Sequence, residues 1–221
     1  MRGALLAGLI GWGGSVSACD VALMLAVDVS GSVDAREYRV QMDGLAAALI
    51  DPPIADALVA GRAKVALMQW TGSGRQTVVI NWTEMTYHAD VGAFADRIIA
   101  EPRLWRDYST AIGEAMALSL SYFAQVPECL RYIVDISGDG ESNEGRVPSA
   151  TWADLERAGV TVNALVIEES VPGLTGYFER EVITGPGSFA ITANHFDDYP
   201  VQIRRKLYRE LTQAVAQSGT R

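Results

Sequence analysis

Six apolar residues, Ala22-Leu23-Met24-Leu25-Ala26-Val27, run without a polar break into Asp28-Val29-Ser30-Gly31-Ser32. A run of that length with no alternation reads as a strand covered on both faces, which points to a parallel sheet between helix layers. Asp28, Ser30 and Ser32 then stand at the C-terminal end of the strand, where open α/β sheets hold their ligands. One carboxylate and two hydroxyls at alternate positions, with Gly31 easing the turn, suit a hard divalent cation.

The rest of the chain alternates strands with helices. Asp34 caps a first helix and Glu37, three residues on, completes a capping-box pattern. Tyr38, Met42, Leu45 and Leu49 form its apolar face, and Asp51-Pro52-Pro53 ends it. Lys64–Trp70 is a second buried strand, Thr71-Gly72-Ser73-Gly74 a tight turn, and Gln76–Trp82 a third, antiparallel strand at the sheet edge. Asp90 opens a helix with Val91, Phe94, Ala95 and Ile98 on one face. A longer helix starts at Ser109 or Thr110, carries Ile112, Met116, Leu120 and Phe123, and is closed by Pro127. Leu130–Ile136 is the fourth strand and Ser137–Gly140 the loop leaving it. A helix over Pro148–Ala158 with Gly159 at its end leads to a fifth strand, Val160–Ile167. A short helix over Tyr177–Val182, a sixth strand over Ser188–Thr192 and a final helix lined by Ile203, Leu207, Leu211 and Val215 complete the chain. The expected fold is a doubly wound, mostly parallel six-stranded α/β sheet with one antiparallel edge strand and helices on both faces.

Residues 1–18 read as an export signal: Arg2, an apolar stretch Ala4–Ile10, and a small-residue cleavage site at Val16-Ser17-Ala18. Residues 19–221 then form one domain, without repeat, linker or low-complexity segment. Neither the leader nor any later segment is long and apolar enough to span a bilayer, and the protein is expected in the periplasm or outside a bacterial cell. The net charge is −9, and −10 once Arg2 is removed with the leader. With no basic stripe, this disfavours nucleic acid and anionic lipid as main partners. Cys19 lies nine residues before Asp28 and Cys129 ten before Asp139. On parallel neighbouring strands both thiols reach the same lower edge, within bridging distance. A competing reading takes Val16-Ser17-Ala18-Cys19 as a bacterial lipobox with a lipid on Cys19, and free thiols are the third.

Asp28-x-Ser30-x-Ser32 after a buried strand resembles the first motif of the metal-ion-dependent adhesion site of von Willebrand factor type A domains. Tyr108-Ser109-Thr110-Ala111-Ile112-Gly113 resembles the second, and Ile136-Ser137-Gly138-Asp139-Gly140 the third. The three occur in the family's order over nearly the whole mature chain, which is similar to the exported bacterial single-domain proteins grouped as DUF1194. The resemblance implies Ser30, Ser32 and Thr110 as direct hydroxyl ligands, with Asp28 and Asp139 close to the ion and holding coordinated waters. Mg²⁺ is the expected cation, with Mn²⁺ and Ca²⁺ as alternatives. Neutral hydroxyls leave such an ion electrophilic, so the implied partner is a protein offering an acidic side chain.

Other readings stay beside this one. Asp28 at a strand end also suits a turn cap, Ser30 and Ser32 suit turn hydroxyls, and Thr110 suits a helix N-cap. Asp135 rivals Asp139, but it stands inside the strand and needs a buried partner that the sequence does not identify. Glu141, Asn143 and Glu144 read as a solvated loop. Enzyme readings are disfavoured: His88 and His195 are the only histidines and neither belongs to a nucleophile–base motif. A dehalogenase-type hydrolase would need an acid where Ser30 stands. An adaptor or subunit role in a larger envelope complex is the main alternative to adhesion-type binding.

Overall fold

A computed structural model describes residues 19–212; the expected leader at 1–18 and the place of Val215 lie outside the described residues. Strand β1 (Val21–Asp28) is buried at every position. Val21, Leu23, Leu25 and Val27 enter one core, while Ala22, Met24 and Ala26 enter the other. The unbroken apolar run follows from this: each face of β1 meets a helix layer, so neither set of alternate side chains meets water.

Strands β2 (Lys64–Trp70) and β4 (Arg131–Gly138) pair with β1 in parallel, and β3 (Gln76–Glu84) returns antiparallel along β2. With β5 (Val160–Ile167) and β6 (Ala190–Ala193) the order is β3-β2-β1-β4-β5-β6. This is the expected six-stranded sheet with one antiparallel edge. The chain builds from β1 toward β3 and then restarts on the other side with β4. The reversal opens a crevice at the C-terminal ends of β1 and β4.

Helices α1 (Ala35–Leu49), α2 (Pro52–Ala60), α3 (His88–Ala100) and α7 (Tyr199–Thr212) cover one face, with Met42, Leu58, Phe94 and Ile203 in its core. Helices α4 (Ile112–Phe123), α5 (Trp152–Arg157) and α6 (Leu174–Glu181) cover the other, with Met116, Leu155 and Phe178. The capping box at Asp34 and Glu37 is formed.

Several boundaries differ from the sequence expectation. Pro52 and Pro53 end α1 but also begin α2, since proline in a first helical turn removes only N–H groups that have no helical partner. Asp90 is not the cap of α3. It lies inside the first turn, and its carboxylate accepts from the N–H groups of Thr86 and Tyr87 at 3.0 and 2.8 Å. Helix α4 starts at Ile112 with Ala111 as its cap residue, so Thr110 precedes the helix and is no N-cap. Strand β4 runs two residues further, to Gly138. The Pro148 segment begins as a 3₁₀ turn before α5, α6 starts at Leu174, and β6 covers Ala190–Ala193.

The lower edge carries a disulfide. Cys19 and Cys129 are joined, with their Cα atoms 4.3 Å apart. Next to it the Leu130 and Arg131 N–H groups donate to the carbonyls of Cys19 and Asp20. The bond consumes the Cys19 thiol, which removes the lipid anchor and free-thiol alternatives. Closing a loop of 110 residues, it stabilises the fold by roughly 2–5 kcal/mol, mainly by restricting the unfolded chain.

Candidate metal centre

Asp28, Ser30, Ser32, Thr110 and Asp139 come from three segments; hydrogen bonds link Asp28, Ser30, Ser32 and Asp139 beyond the ends of β1 and β4, and Thr110 stands next to Gly140. Asp28 ends β1 and is fully buried; its Oδ1 accepts from the Ser30 N–H at 2.7 Å. The Ser30 and Ser32 hydroxyls lie 3.2 Å apart, and Ser32 donates to Asp139 Oδ1 at 2.7 Å. The Thr110 hydroxyl faces Gly140, 3.8 Å from where a side chain there would begin. Gly138 leaves space that the site needs: a Cβ there would stand 3.3 Å from Asp28 Oδ2. Asp135, the rival to Asp139, lies inside β4 and faces α7 instead.

Among the described residues no basic side chain forms an ion pair with Asp28 or Asp139; the Arg103 guanidinium acts on Asp139 only from a distance. Asp28 Oδ2 is buried and has no hydrogen-bond partner. Burial, reinforced by the Asp139 carboxylate, pushes the Asp28 carboxyl up to about 8. Asp139 is raised as well, chiefly by burial, with the Ser32 hydrogen bond acting against the shift. An orphaned buried carboxylate oxygen is costly unless something cationic meets it. Among the described residues no three acidic, histidine or cysteine side chains converge on one point. The donor set is therefore two carboxylates and three hydroxyls, which fits a hard, oxygen-seeking cation that retains part of its water shell.

The supports of this cluster are not legible in the sequence. Asn143, read as part of a solvated loop, clamps Thr110 from both sides: its Oδ1 accepts from the Thr110 N–H and its own N–H donates to the Thr110 carbonyl, both at 2.9 Å. Ser142 adds a bond from its hydroxyl to the same carbonyl and accepts from the Ile112 N–H. Gly31 approaches the segment before Thr110 so closely that a Cβ would meet the Tyr108 carbonyl at 3.2 Å, and its N–H donates there at 2.8 Å. Arg103 donates to the carbonyls of Val29 and Ser30. The only sequence signal for these roles is polar residues crowded next to the motifs.

Comparisons place this geometry among known folds. The structure is similar to the proximal thread matrix protein 1 of the mussel byssus (18% identity, TM-score 0.62, covering 88% of this chain and 47% of that one). It is also similar to a von Willebrand factor type A protein from Catenulispora acidiphila (17% identity, TM-score 0.61, covering 88% and 43%). The pilus adhesin SpaC of Lactobacillus rhamnosus GG, in an open conformation, matches with 14% identity and TM-score 0.61, covering 87% of this chain and 30% of that one. The chain spans less than half the length of each, and at these identities the likeness is one of fold: that of a von Willebrand factor type A domain. No curated protein matches the sequence. The profile of the proteins of unknown function DUF1194 matches residues 18–215, nearly the whole chain, and the protein belongs to that family.

Proposed function

We propose that this domain is a non-enzymatic binding module that holds a divalent cation at Asp28, Ser30, Ser32, Thr110 and Asp139 and, through it, an acidic side chain of a protein partner. The observation that carries this reading is Asp28 Oδ2, a buried carboxylate oxygen without a partner, at the base of a hydroxyl-lined mouth. Ser30, Ser32 and Thr110 would hold the ion directly, while Asp28 and Asp139 would supply the negative charge behind it. Bound there, Mg²⁺ or Mn²⁺ supplies an electrophilic position that accepts a carboxylate oxygen. A chain of net charge −9 would thereby hold an acidic partner without a basic patch. The disulfide supports an oxidising compartment such as the periplasm or cell exterior, and no described helix is long and apolar enough to cross a membrane.

Calorimetric titration of Mg²⁺ and Mn²⁺ into chelator-stripped protein tests this. About one equivalent is expected to bind, with binding lost in Asp28→Ala and Asp139→Ala. Added acetate, standing in for the partner's carboxylate, is expected to tighten it. Absence of binding with millimolar acetate present would leave the cluster without a cation and overturn the proposal.

A further inference from the structure

The loop that carries Asp28, Ser30 and Ser32 has few ties of its own. The Val29 N–H donates to the Trp70 carbonyl at 2.9 Å, the Ser30 N–H to Asp28 Oδ1 at 2.7 Å, and the Val33 N–H to the Ser30 carbonyl at 3.1 Å. The outward carbonyls of Val29 and Ser30 both accept from Nη2 of Arg103, at 3.1 and 2.8 Å. Among the described residues Arg103 is the one side chain that donates to either carbonyl. Every backbone polar group in such a covered turn needs a partner, and a permanently charged guanidinium, from a segment 73 residues away, serves the Val29 carbonyl and adds a second donor to the Ser30 carbonyl beside the Val33 N–H.

Arg103 is itself aimed. Gln69, on β2 and fully buried, brackets it: its Nε2 donates to the Pro102 carbonyl at 2.9 Å, and its Oε1 accepts from the Leu104 N–H at 3.0 Å. The same Nε2 reaches the Tyr38 hydroxyl of α1 at 3.1 Å. The bond from the Gly31 N–H to the Tyr108 carbonyl ties the same two segments a second time, beside Asp107, whose backbone is left-handed at φ 58°. The sheet thus fixes the 102–108 segment, and that segment fixes the loop bearing three of the five oxygen donors.

We propose that Arg103 is the positioning residue of this centre: it holds the Asp28–Ser32 loop in its converged form before any cation arrives, and so sets how tightly a cation is held. The inference rests on the metal-site reading above. Without Arg103 the Val29 carbonyl of this covered turn would have to open toward water to find a partner, spreading the loop. Charge-assisted bonds from an arginine behind the backbone oppose that spreading. A site already converged spends none of its binding energy on ordering. The positive charge of Arg103 acts in the opposite sense, disfavouring a nearby cation, so the effect of removing it distinguishes the two roles.

The test uses chelator-stripped wild type, Arg103→Met and Arg103→Lys, with Mn²⁺ calorimetry and hydrogen exchange of the 28–33 amides in metal-free protein. Arg103→Met is expected to weaken Mn²⁺ by about tenfold or more, the loss of one charge-assisted contact. It should also speed exchange at Val29–Val33 while β4 and β5 stay protected. Arg103→Lys, whose single ammonium can serve one or both carbonyls, should recover part of both readouts, and it carries the test alone should the methionine variant not fold. Equal or tighter Mn²⁺ binding with unchanged exchange overturns the proposal and leaves the metal reading standing. No Mn²⁺ binding by wild type defeats the metal reading, and with it Arg103 as a determinant of cation affinity.

Discussion

Two buried acidic clusters sit on the same sheet, one midway along β4 against α7 and one at the C-terminal strand ends, and the chain treats them differently. Below, Asp135 on β4 and Glu210 on α7 share Lys206, whose Nζ lies 2.7 Å from Asp135 Oδ2 and 2.6 Å from Glu210 Oε1. Lys206 is fully buried, and Asn163 donates to the same Glu210 oxygen at 2.8 Å. Above, Asp28 and Asp139 stand together with hydroxyls, and no lysine enters. A buried charge needs a partner. Orphaned oxygens occur in both, Asp28 Oδ2 above and Glu210 Oε2 below; the difference is that the lower cluster contains its own cation, which joins α7 to β4, while among the described residues no cationic side chain pairs with either carboxylate of the upper one. The contrast separates a structural ion cluster from a candidate binding site more sharply than acidity does, since both clusters hold two carboxylates.

Removing the internal cation gives the largest expected effect. Lys206→Met leaves Asp135 and Glu210 facing each other unpaired and should cost about 3–5 kcal/mol in denaturant unfolding. The loss should be the same with and without Mg²⁺. A loss under 1 kcal/mol would place the lower cluster on a par with an exposed ion pair and break the contrast.

Neutralising the upper cluster should act in the opposite sense. In metal-free protein, Asp28 keeps its proton up to about 8, whereas the unfolded chain releases it near 3.8. The folded state therefore binds more protons between those values, and stability falls as pH rises through that window. Glu210, pushed up to about 8 by burial against the pull of Lys206, adds a slope of the same sign. Asp28→Asn should remove its share and stabilise metal-free protein by about 1–3 kcal/mol at pH 8, while abolishing the stabilisation that Mg²⁺ gives wild type. The Glu210 share should survive in that variant and vanish in Glu210→Gln. Denaturant melts at pH 5 and pH 8, with and without Mg²⁺, decide it; an unchanged slope in Asp28→Asn would show that its carboxyl titrates normally.

The smallest effect is expected from the supports. Asn143→Ala removes the acceptor on the Thr110 N–H and should lower stability by about 1 kcal/mol. Cation binding should weaken with it. A drop in stability with unaltered affinity would mean that Thr110 is not a ligand.

Local patterns were legible. The apolar run 22–27 marked a strand with two covered faces, and Asp34 with Glu37 announced α1. The two cysteines, counted back from Asp28 and Asp139, located the lower edge and its disulfide. Asp28, Ser30 and Ser32 were readable because their spacing is a property of one short segment. Thr110 and Asp139 were readable only through the family resemblance, since nothing local distinguishes Thr110 from a helix cap. Where α1 gives way to α2 the sequence marks the stop of α1 but not the start of α2, because a proline pair suits a helix start as well as a helix stop.

What the sequence by itself determined is the layered α/β fold and the residue types of the candidate site, because both rest on periodicity and on composition within short segments. The tertiary structure alone decided which charges meet. Asp135 found Lys206 and Glu210 on a helix at the far end of the chain, Asn143 closed on Thr110 across 33 residues, and Arg103 reached Ser30 across 73. Such pairings depend on which helix face turns toward which strand, and a carboxylate carries no local mark of whether its cation comes from the chain or from solution.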